Sequence, residues 1–331
     1  MHDGVSKSVA ITVKVPARLH LGFLDLNGGL GRRFGGIGLA VGGLGTTLTI
    51  ERAKFSNVSG VEADRVRHHL QKMENFLALH NGHNVRISEV VPAHSGLGSG
   101  TQLALAVAAG LRRLHNLPLD TEGDALRLGR GARSGIGIGL FSRGGLVVDG
   151  GRGDELKPAP IIAHLPFPRQ WRVLVILDPQ RQGMHGPEEG AAMAALPRMS
   201  EAAAAHLCRL ILMKALPALA EQDLVNFGGA IKELQIRLGD YFAPVQGGAG
   251  FMSRDVAAVL DVLDGAGAFG VGQSSWGPTG FAFAPSLDEA DRLALISRRH
   301  PKCQGLDIRV CEGLNRGAEI VAQAHADEVG Q

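Results

Sequence analysis

The segment that decides the fold reads Pro92-Ala93-His94-Ser95-Gly96-Leu97-Gly98-Ser99-Gly100-Thr101. It lies between a predicted strand over residues 84–90 and a predicted helix over about 100–115. The first backbone N–H groups of a helix have no partner within the helix, and the helix dipole adds partial positive charge there. Glycines let the backbone wrap an anion without a Cβ clash. The segment therefore predicts a phosphate site formed by Gly96, Leu97, Gly98, Ser99, Gly100 and Thr101.

Spacing separates this loop from two other phosphate-binding loops. It is not a Walker A loop, because no Gly-Lys-Ser/Thr follows at the required distance. It is not a dinucleotide fingerprint either, because the Gly-x-Gly-x-x-Gly pattern and an early βαβ unit are both missing. The alternative to phosphate binding is a Gly-rich turn that Ser99 caps at the helix start, with no ligand.

The chain of 331 residues has the length of about two ordinary domains. A segment rich in Gly and Pro, 150–168, predicts the boundary between domains 1–160 and 161–325. Predicted strands in the first half cover 9–15, 19–24, 46–51, 84–90 and 144–149, and a helix covers 62–80. The second half has predicted strands over 172–178, 280–284 and 306–310, and helices over about 200–220, 221–238, 255–264 and 287–299.

Composition excludes several classes of protein. A net charge of +2 and an aromatic content of 5% predict no nucleic-acid partner. No continuous apolar run reaches the roughly 18 residues that span a bilayer, and the N-terminus carries no signal-peptide pattern. The three cysteines lack metal-site spacing, which favours a reducing compartment. We therefore expect a cytoplasmic enzyme that acts on small molecules, without a membrane or nucleic-acid partner.

Three blocks in the chain resemble the motifs of the GHMP superfamily, which includes galactokinase, homoserine kinase and mevalonate kinase. The central block is the Gly-rich loop. The others are Pro16-Ala17-Arg18-Leu19-His20-Leu21-Gly22-Phe23 and Gly270-Val271-Gly272-Gln273-Ser274-Ser275-Trp276-Gly277-Pro278-Thr279-Gly280-Phe281. The resemblance implies an α+β fold with two domains, an N-terminal ribosomal-S5-like domain and a C-terminal ferredoxin-like α/β domain.

The middle of the chain departs from the kinase pattern. Kinases such as mevalonate kinase carry Ser-Gly-x-Asp before a Gly-Gly pair, and that Asp is their catalytic base. The matching segment here is Ser134-Gly135-Ile136-Gly137, followed by Gly144-Gly145, so Gly137 occupies the Asp position. Because a glycine cannot accept a proton, Asp-dependent phosphoryl transfer lacks its base. Some GHMP kinases work without this Asp, so an ATP-dependent small-molecule kinase stays an alternative, as does a ligand binder without activity.

Longer strings resemble the β-ribofuranosylaminobenzene 5′-phosphate synthase family. They are residues 18–28, 129–137 and 274–279, together with Gly31-Arg32 and Gly35-Gly36-Ile37-Gly38. Phe34 departs from the pattern, because we expect an acid before this Gly pair. The family joins 5-phosphoribosyl 1-pyrophosphate to 4-aminobenzoate or 4-hydroxybenzoate, releases CO2 and pyrophosphate, and serves tetrahydromethanopterin biosynthesis. The resemblance also implies Mg²⁺ and a homodimer.

This resemblance assigns roles to residues of the present chain. The predicted catalytic residues are Asp25, His20 and Arg18, and Asp25 is also the first candidate metal ligand, with Asp149 behind it. Arg133 joins the loop as a predicted phosphate ligand. Ser274, Ser275 and Trp276 are predicted to line the aromatic-substrate pocket. Candidate partners for the benzoate carboxylate are Arg18 and His20, two residues apart on one strand, or Arg32, Arg33 and Arg133.

Each candidate also has a structural interpretation. A histidine such as His20 is more often a structural imidazole than a catalytic one, and Trp276 also fits core packing. Asp25-Leu26-Asn27-Gly28 is typical of a β-turn. Arg130 and Arg133 fit solvated surface charges. The segment 185–189 predicts a helix N-terminus with acids in its first turn, which we favour over a metal site.

Overall fold

A long antiparallel pair organises the N-terminal half in the computed structural model, which describes residues 9–153, 157–184 and 186–324. β1 (Val9–Asp25) pairs with β2 (Phe34–Ala53) along almost its whole length. The sequence predicted two strands broken at Pro16-Ala17. The structure has one strand, with a register shift at that point, because proline has no N–H for the ladder.

Five shorter strands complete this seven-stranded sheet. β3 (Asn57–Gly60) and β4 (Gly82–Glu89) extend one side, in the order β11–β1–β2–β4–β3. β5 (Leu146–Asp149) pairs with the first part of β2 and with β6 (Ile161–Leu165). β11 (Glu319–Ala324) pairs with β1. Two segments beyond residue 160 therefore belong to the first sheet.

Helices cover one face of this sheet. They are α1 (Ala63–Phe76), α2 (Ser99–Leu114), α3 (Thr121–Arg127) and α4 (Ile136–Arg143). α2 is buried on nearly all sides, between the sheet and its neighbouring helices, so it runs through the core. The sequence did not predict α4, because its glycines disfavour helix. They permit close packing instead: a Cβ on Gly139 would lie 2.6 Å from Ile161 Cδ1.

The second half contains a four-stranded antiparallel sheet in the order β10–β7–β9–β8. Its strands are β7 (Arg172–Leu177), β8 (Phe269–Gln273), β9 (Gly280–Ala284) and β10 (Asp307–Glu312). The helices are α5 (Gly186–Ala195), α6 (Glu201–Leu210), α7 (Leu216–Ala220), α8 (Leu224–Phe242), α9 (Arg254–Gly265) and α10 (Leu287–Arg298). The predicted α+β architecture is confirmed.

One helix of the described chain is long and apolar enough to cross a membrane by length and composition alone. It covers Glu201–Ala220, with a mean hydropathy of 1.4, and its charged residues, such as Arg209 and Lys214, keep it from being a continuous apolar run. α6 and α7 form its two ends, and a π-helical turn over Ile211–Ala215 lies between them. Leu207, Leu210 and Leu219 on its buried face belong to the protein core. A core helix passes the same test, so this finding is weak evidence for a membrane.

Candidate active site

A cleft of about 500 Å³ lies where the Gly-rich loop meets the segment that follows β8. The two segments are in direct contact. Ser274 Oγ donates a hydrogen bond to Gly96 O at 2.8 Å, and Gly277 packs so tightly on Gly96 that a Cβ on either residue would clash with the other segment. The floor of the cleft is therefore built from both halves of the chain.

The amino-terminal end of α2 opens into this cleft without a side-chain cap. Gly98 is the N-cap residue, in the left-handed region at φ 76°, and no side chain accepts a hydrogen bond from the first turn. Ser99, Gly100 and Thr101 line the cleft. The sequence left open a Gly-rich turn in which Ser99 caps the helix. The structure does not form this cap. Instead, the first turn has no side-chain cap, which is the arrangement that binds anions at helix N-termini, while Thr101 N donates to Gly98 O at 3.2 Å.

The remaining loop residues differ in what they contribute. Gly96 and Gly98 line the cleft, as predicted for a phosphate loop. The Leu97 side chain is fully buried in the core, and its carbonyl accepts a hydrogen bond from Arg18 N at 3.1 Å. Leu97 therefore fixes the loop against β1 and presents no side chain to a ligand.

Arg18 lies directly against the start of α2. Its side chain occupies the space that a Cβ on Gly98 would need. Its Nε is buried and has no hydrogen-bond partner among the described residues. Burial lowers the pKa of Arg18 to about 10, although Glu189 and Asp149 act in the opposite direction. A half-buried cation with a buried, unused donor beside a helix N-terminus is an arrangement suited to an anion.

Two further arginines approach the same helix end from the opposite side. A Cβ on Gly100 would lie 3.0 Å from Arg130 Nη1 and 3.2 Å from Arg65 Nη2. Burial, and then the charge of Arg65, lowers the pKa of Arg130. We treated Arg130 above only as a candidate surface charge and gave Arg65 no role. The sequence could have indicated Arg130, because it lies in the string 129–137 that resembles the synthase family. No pattern in the sequence indicated Arg65.

Arg133 enters the cleft together with a carboxylate from α5. Its Nη2 lies 2.6 Å from Glu189 Oε2, and both residues line the cleft. Its Nη1 is buried and has no partner within the part of the chain that the structure describes. Arg133 therefore keeps a donor for a ligand while Glu189 holds its guanidinium group in place.

His20 lies deeper, with its backbone held by the second loop. Its N–H donates to Ser274 Oγ at 3.0 Å, and its carbonyl accepts from Ser275 N at 3.2 Å. Both ring nitrogens are buried and without a partner among the described residues. Burial, followed by the charge of Arg18, lowers the pKa of His20 well below its usual value. The imidazole is therefore neutral and has one nitrogen that can accept a proton.

An aromatic wall closes this part of the cleft. Trp276 is 3% exposed and meets Phe242 edge-on at a ring distance of 4.9 Å. Its Nε1 is buried without a partner in the described structure, which is uncommon for a buried tryptophan. Ser275 also lines the cleft. Ser274 is fully buried and supports the Gly-rich loop, so its predicted place in the aromatic pocket is not what the structure shows.

The acids predicted for metal binding are engaged in turns. Asp25 Oδ1 accepts hydrogen bonds from Asn27 N at 2.7 Å and Gly28 N at 2.8 Å, and Asp25 does not line the cleft. Asp149 is fully buried and accepts hydrogen bonds from Ser134 Oγ and from the amides of Gly135 and Gly151. Burial raises the pKa of Asp149, and these hydrogen bonds partly offset the rise.

These residues do not fit a magnesium ion held by protein ligands. The described residues contain no group of three or more His, Cys, Asp or Glu side chains that could bind a metal. Among the described residues that line the cleft, the only carboxylate is Glu189, which pairs with Arg133. Magnesium prefers oxygen ligands, whereas the charged residues of this cleft are mainly cationic. The position of Asp25 therefore does not support its predicted metal role.

Arg32 and Arg33 lie elsewhere. They line a separate groove on the surface, which shares no lining residue with the cleft. Of the arginines considered for the benzoate carboxylate, the structure brings together Arg18 and Arg133, alongside His20.

Comparison with known proteins agrees with the resemblance found in the motifs. The N-terminal domain of GHMP kinases matches residues 63–143, and the C-terminal domain of GHMP kinases matches residues 215–301. The structure resembles Leishmania major mevalonate kinase, with a TM-score of 0.69, 17% identity, and coverage of 96% of this chain and 100% of that one. It also resembles homoserine kinase from Cytophaga hutchinsonii, with a TM-score of 0.68, 16% identity, and coverage of 97% and 99%. At these identities the likeness concerns the fold.

Similar sequences narrow the family. The β-ribofuranosylphenol 5′-phosphate synthase of Archaeoglobus fulgidus is 33% identical over 94% of this chain and 99% of its own length. The synthase of the same name from Methanocaldococcus jannaschii is 33% identical over 82% and 88%. A 4-diphosphocytidyl-2-C-methyl-D-erythritol kinase from Thermosynechococcus vestitus is 28% identical over 72% of each chain. The chain therefore belongs to the GHMP superfamily and, within it, to the family of the β-ribofuranosylphenol 5′-phosphate synthases, which are enzymes.

Proposed function

We propose that the chain condenses 5-phosphoribosyl 1-pyrophosphate with 4-hydroxybenzoate or 4-aminobenzoate, releasing CO2 and pyrophosphate, as a step of tetrahydromethanopterin biosynthesis. The observation that carries this proposal is the uncapped amino-terminal end of α2, flanked by guanidinium groups, with a glycine where kinases carry their catalytic Asp. The names of the relatives describe a phenol, which favours 4-hydroxybenzoate because its hydroxyl group remains in a phenol product.

The charge distribution of the cleft suits a donor with two anionic ends. Arg18 lies against Gly98, while Arg65 and Arg130 converge on Gly100, so cations approach the loop from two sides. A sugar with a 5-phosphate and a 1-pyrophosphate carries negative charge at both ends. Guanidinium groups and helix amides stabilise the charge that develops on pyrophosphate as its bond to the sugar breaks. The proposal therefore assigns these residues to donor binding and leaving-group stabilisation.

The acceptor chemistry is helped by a group that accepts a hydrogen bond from the para substituent. As pyrophosphate leaves, the ring carbon that bears the carboxylate attacks C1 of the sugar. The imidazole of His20, which its lowered pKa keeps neutral, accepts a hydrogen bond from the hydroxyl or amino group, which increases the electron density of the ring. Loss of CO2 then returns an electron pair to the ring and restores aromaticity, and the proton of the para substituent stays in place. Trp276 and Phe23, which line the cleft, supply the apolar surface for the ring.

An ATP-dependent small-molecule kinase is the second candidate, favoured by the kinases among the structural neighbours and similar sequences. The surroundings of Gly137 weigh against it. A Cβ at this position would lie 3.0 Å from Thr101 Cγ2, so the present packing is built around the absence of a side chain. The base is absent, and a side chain at residue 137 would require Thr101 to shift, so we rank phosphoryl transfer below phosphoribosyl transfer.

The test is release of labelled CO2 from carboxyl-labelled 4-hydroxybenzoate and, separately, 4-aminobenzoate, each mixed with the donor. We expect CO2 and pyrophosphate in equal amounts. The Arg18→Gln variant should be severely impaired, and Arg169→Gln, an exposed arginine outside the cleft, should be unaffected. ADP formation from ATP with homoserine or mevalonate, without CO2 release, would replace this proposal with the kinase. Ligand binding without turnover would indicate a binder without activity.

A further inference from the structure

A second surface of the protein collects arginines away from the cleft. Arg32, Arg33, Arg152 and Arg198 line a groove of about 630 Å³, which we call the arginine groove. These residues come from three separate segments: the β1–β2 connection, the residues after β5, and the residues before α6. Nothing in the proposed reaction uses them. Their convergence therefore needs an explanation of its own.

Backbone carbonyls anchor three of the four guanidinium groups, those of Arg32, Arg152 and Arg198. Arg32 donates to Gly150 O at 2.8 Å and to Gly151 O at 2.7 Å. Arg198 Nε donates to Asn27 O at 2.6 Å, and Arg152 Nη1 donates to Ala132 O at 3.3 Å. Carbonyls orient a guanidinium group but leave its positive charge uncompensated.

Among the described residues, no carboxylate lines this groove. Among residues 9–153, 157–184 and 186–324, none of the four arginines forms an ion pair with an Asp or Glu. Four like charges around one groove repel each other, and an anion that binds there relieves the repulsion. Anchored guanidinium groups also lose little freedom on binding, which favours affinity.

Arg33 carries the most specific signal. Its Nε is buried and has no partner in the described part of the chain. Its guanidinium group lies 5.4 Å from the ring centre of Phe34, which has a φ of 79°. A positive φ is a strained conformation for a bulky residue, and such strain persists mainly where the surroundings require a fixed position. Phe34 thus presents an aromatic ring to the groove that also contains the cation of Arg33.

Part of the remaining lining of the groove is apolar. Met193 of α5 and Leu196 are buried and, together with Phe34, give it a hydrophobic floor. A floor of this kind beside fixed guanidinium groups matches an anionic group attached to an apolar or aromatic body. A small inorganic ion would leave the floor uncovered.

We propose that the arginine groove is a second binding site, distinct from the cleft, for an organic anion in which a phosphate or carboxylate group is attached to an aromatic body. The guanidinium groups hold the anionic group, and Phe34, Met193 and Leu196 cover the body. Binding at this site does not require the proposed reaction.

Isothermal titration of the full chain with phenyl phosphate at low ionic strength tests the proposal. We expect two binding sites per chain. The double variant Arg33→Gln/Arg198→Gln should weaken one site at least tenfold and leave the other, whereas Arg18→Gln should weaken only the other. A matched control, Arg169→Gln/Arg254→Gln, replaces two exposed arginines outside both regions and should keep both sites. Thermal unfolding verifies that each variant is folded.

Parallel titrations identify the anionic group. Benzoate binding at the site that the double variant weakens assigns the groove to aromatic carboxylates, and binding of phenyl phosphate alone assigns it to phosphate esters. Inorganic phosphate should bind that site at least tenfold more weakly than phenyl phosphate, and equal affinities would overturn the proposed ligand class. One site per chain, abolished by Arg18→Gln, would overturn the proposal, as would two sites unchanged in Arg33→Gln/Arg198→Gln. Because the readout is binding, the outcome is independent of CO2 release.

Discussion

The two ends of helix α2 use arginines in opposite ways. At the carboxyl-terminal end, Arg112 forms two hydrogen bonds with the Asp124 carboxylate, at 2.5 and 2.8 Å. At the amino-terminal end, Arg65 pairs with Glu62 and Arg133 with Glu189, but Arg18 and Arg130 form no ion pair with a carboxylate among the described residues. All these arginines are wholly or partly buried, so burial does not distinguish the two ends. The two arginines without a carboxylate partner, Arg18 and Arg130, do.

The helix dipole explains why the two ends of α2 differ in the effect of an arginine on stability. A cation is favourable near the carboxyl-terminal end of a helix and unfavourable near the amino-terminal end. The positive charge of Arg112 therefore lies where it stabilises the folded chain, and Asp124 neutralises it. Arg18 and Arg130 are placed where their charges raise the free energy of the folded chain until an anion binds. We infer that the carboxyl-terminal end of α2 serves folding and the amino-terminal end serves binding.

The largest expected effect on stability concerns the carboxyl-terminal end of α2, which we call the folding end, as we call its amino-terminal end the binding end. Asp124→Ala removes the carboxylate but leaves Arg112 buried, and breaking a buried ion pair in this way costs about 3–5 kcal/mol. Urea unfolding should show this loss, while the folded fraction should retain its kcat/KM. The matched control is Asp64→Ala, which removes the partner of exposed Arg67 and should cost about 0–1 kcal/mol. Equal losses in the two variants would contradict the contrast between the helix ends.

The next effect concerns the binding end. Arg18→Gln should lower kcat/KM for the donor by about 10²–10³-fold, the loss typical when one preorganised donor to a developing charge is removed. Its thermal stability should not fall, because burial already disfavours the charged form of Arg18 and lowers its pKa to about 10. Pyrophosphate should raise the Tm of the original chain and not that of the variant. A variant that is unstable yet fully active would reverse the assignment.

Acid should act on the binding end through His69. This imidazole is buried, its Nε2 lies 3.3 Å from Arg130 Nη2, and burial lowers its pKa to about 3. The folded pKa lies below the unfolded value of 6.5, so the stabilisation is complete above pH 6.5 and is lost progressively as pH falls toward 3. The free energy of unfolding should fall by up to about 1.4 kcal/mol per pH unit from this group.

The control for this prediction is His69→Gln, which keeps a hydrogen-bond acceptor for Arg130 but does not titrate. Its unfolding free energy should depend less on pH between 6.5 and 3 than that of the original chain. An unchanged pH dependence would show that other groups, and not His69, produce the acid sensitivity.

The sequence was informative where a local pattern determines the structure. The predicted order of strand, loop and helix around residues 84–115 is found in the structure, and the motif strings identified the family. Arg65 was missed because only the packing of α1 against the start of α2 brings it to Gly100. α4 was missed because its glycines, poor in helix propensity, are required by contacts with distant residues. Long-range packing of this kind leaves no short pattern in the chain.

Ser274 is a residue that the sequence did predict, but with a role that differs from the contact seen in the structure. The motif placed it in the second Gly-rich block and in the aromatic-substrate pocket, but a motif does not reveal which way a side chain points. In the structure its hydroxyl group donates to Gly96 O, so it supports the first Gly-rich loop. The sequence therefore predicted the segments of the site better than the roles of individual residues.

The smallest effect concerns Asp25, a carboxylate that resembles Asp124 in serving the fold. Its Oδ1 accepts two amide hydrogen bonds within its own turn. Asp25→Ala should therefore cost about 1 kcal/mol of stability, the typical value for such bonds. Turnover as a function of Mg²⁺ concentration should stay as in the original chain, because Asp25 does not line the cleft. Asp25→Asn, which keeps an oxygen acceptor for the turn, should recover most of the stability. Asp25→Asn could instead need more Mg²⁺ for turnover while its stability stays unchanged. That result would contradict the structural role and assign this carboxylate to Mg²⁺ binding in catalysis.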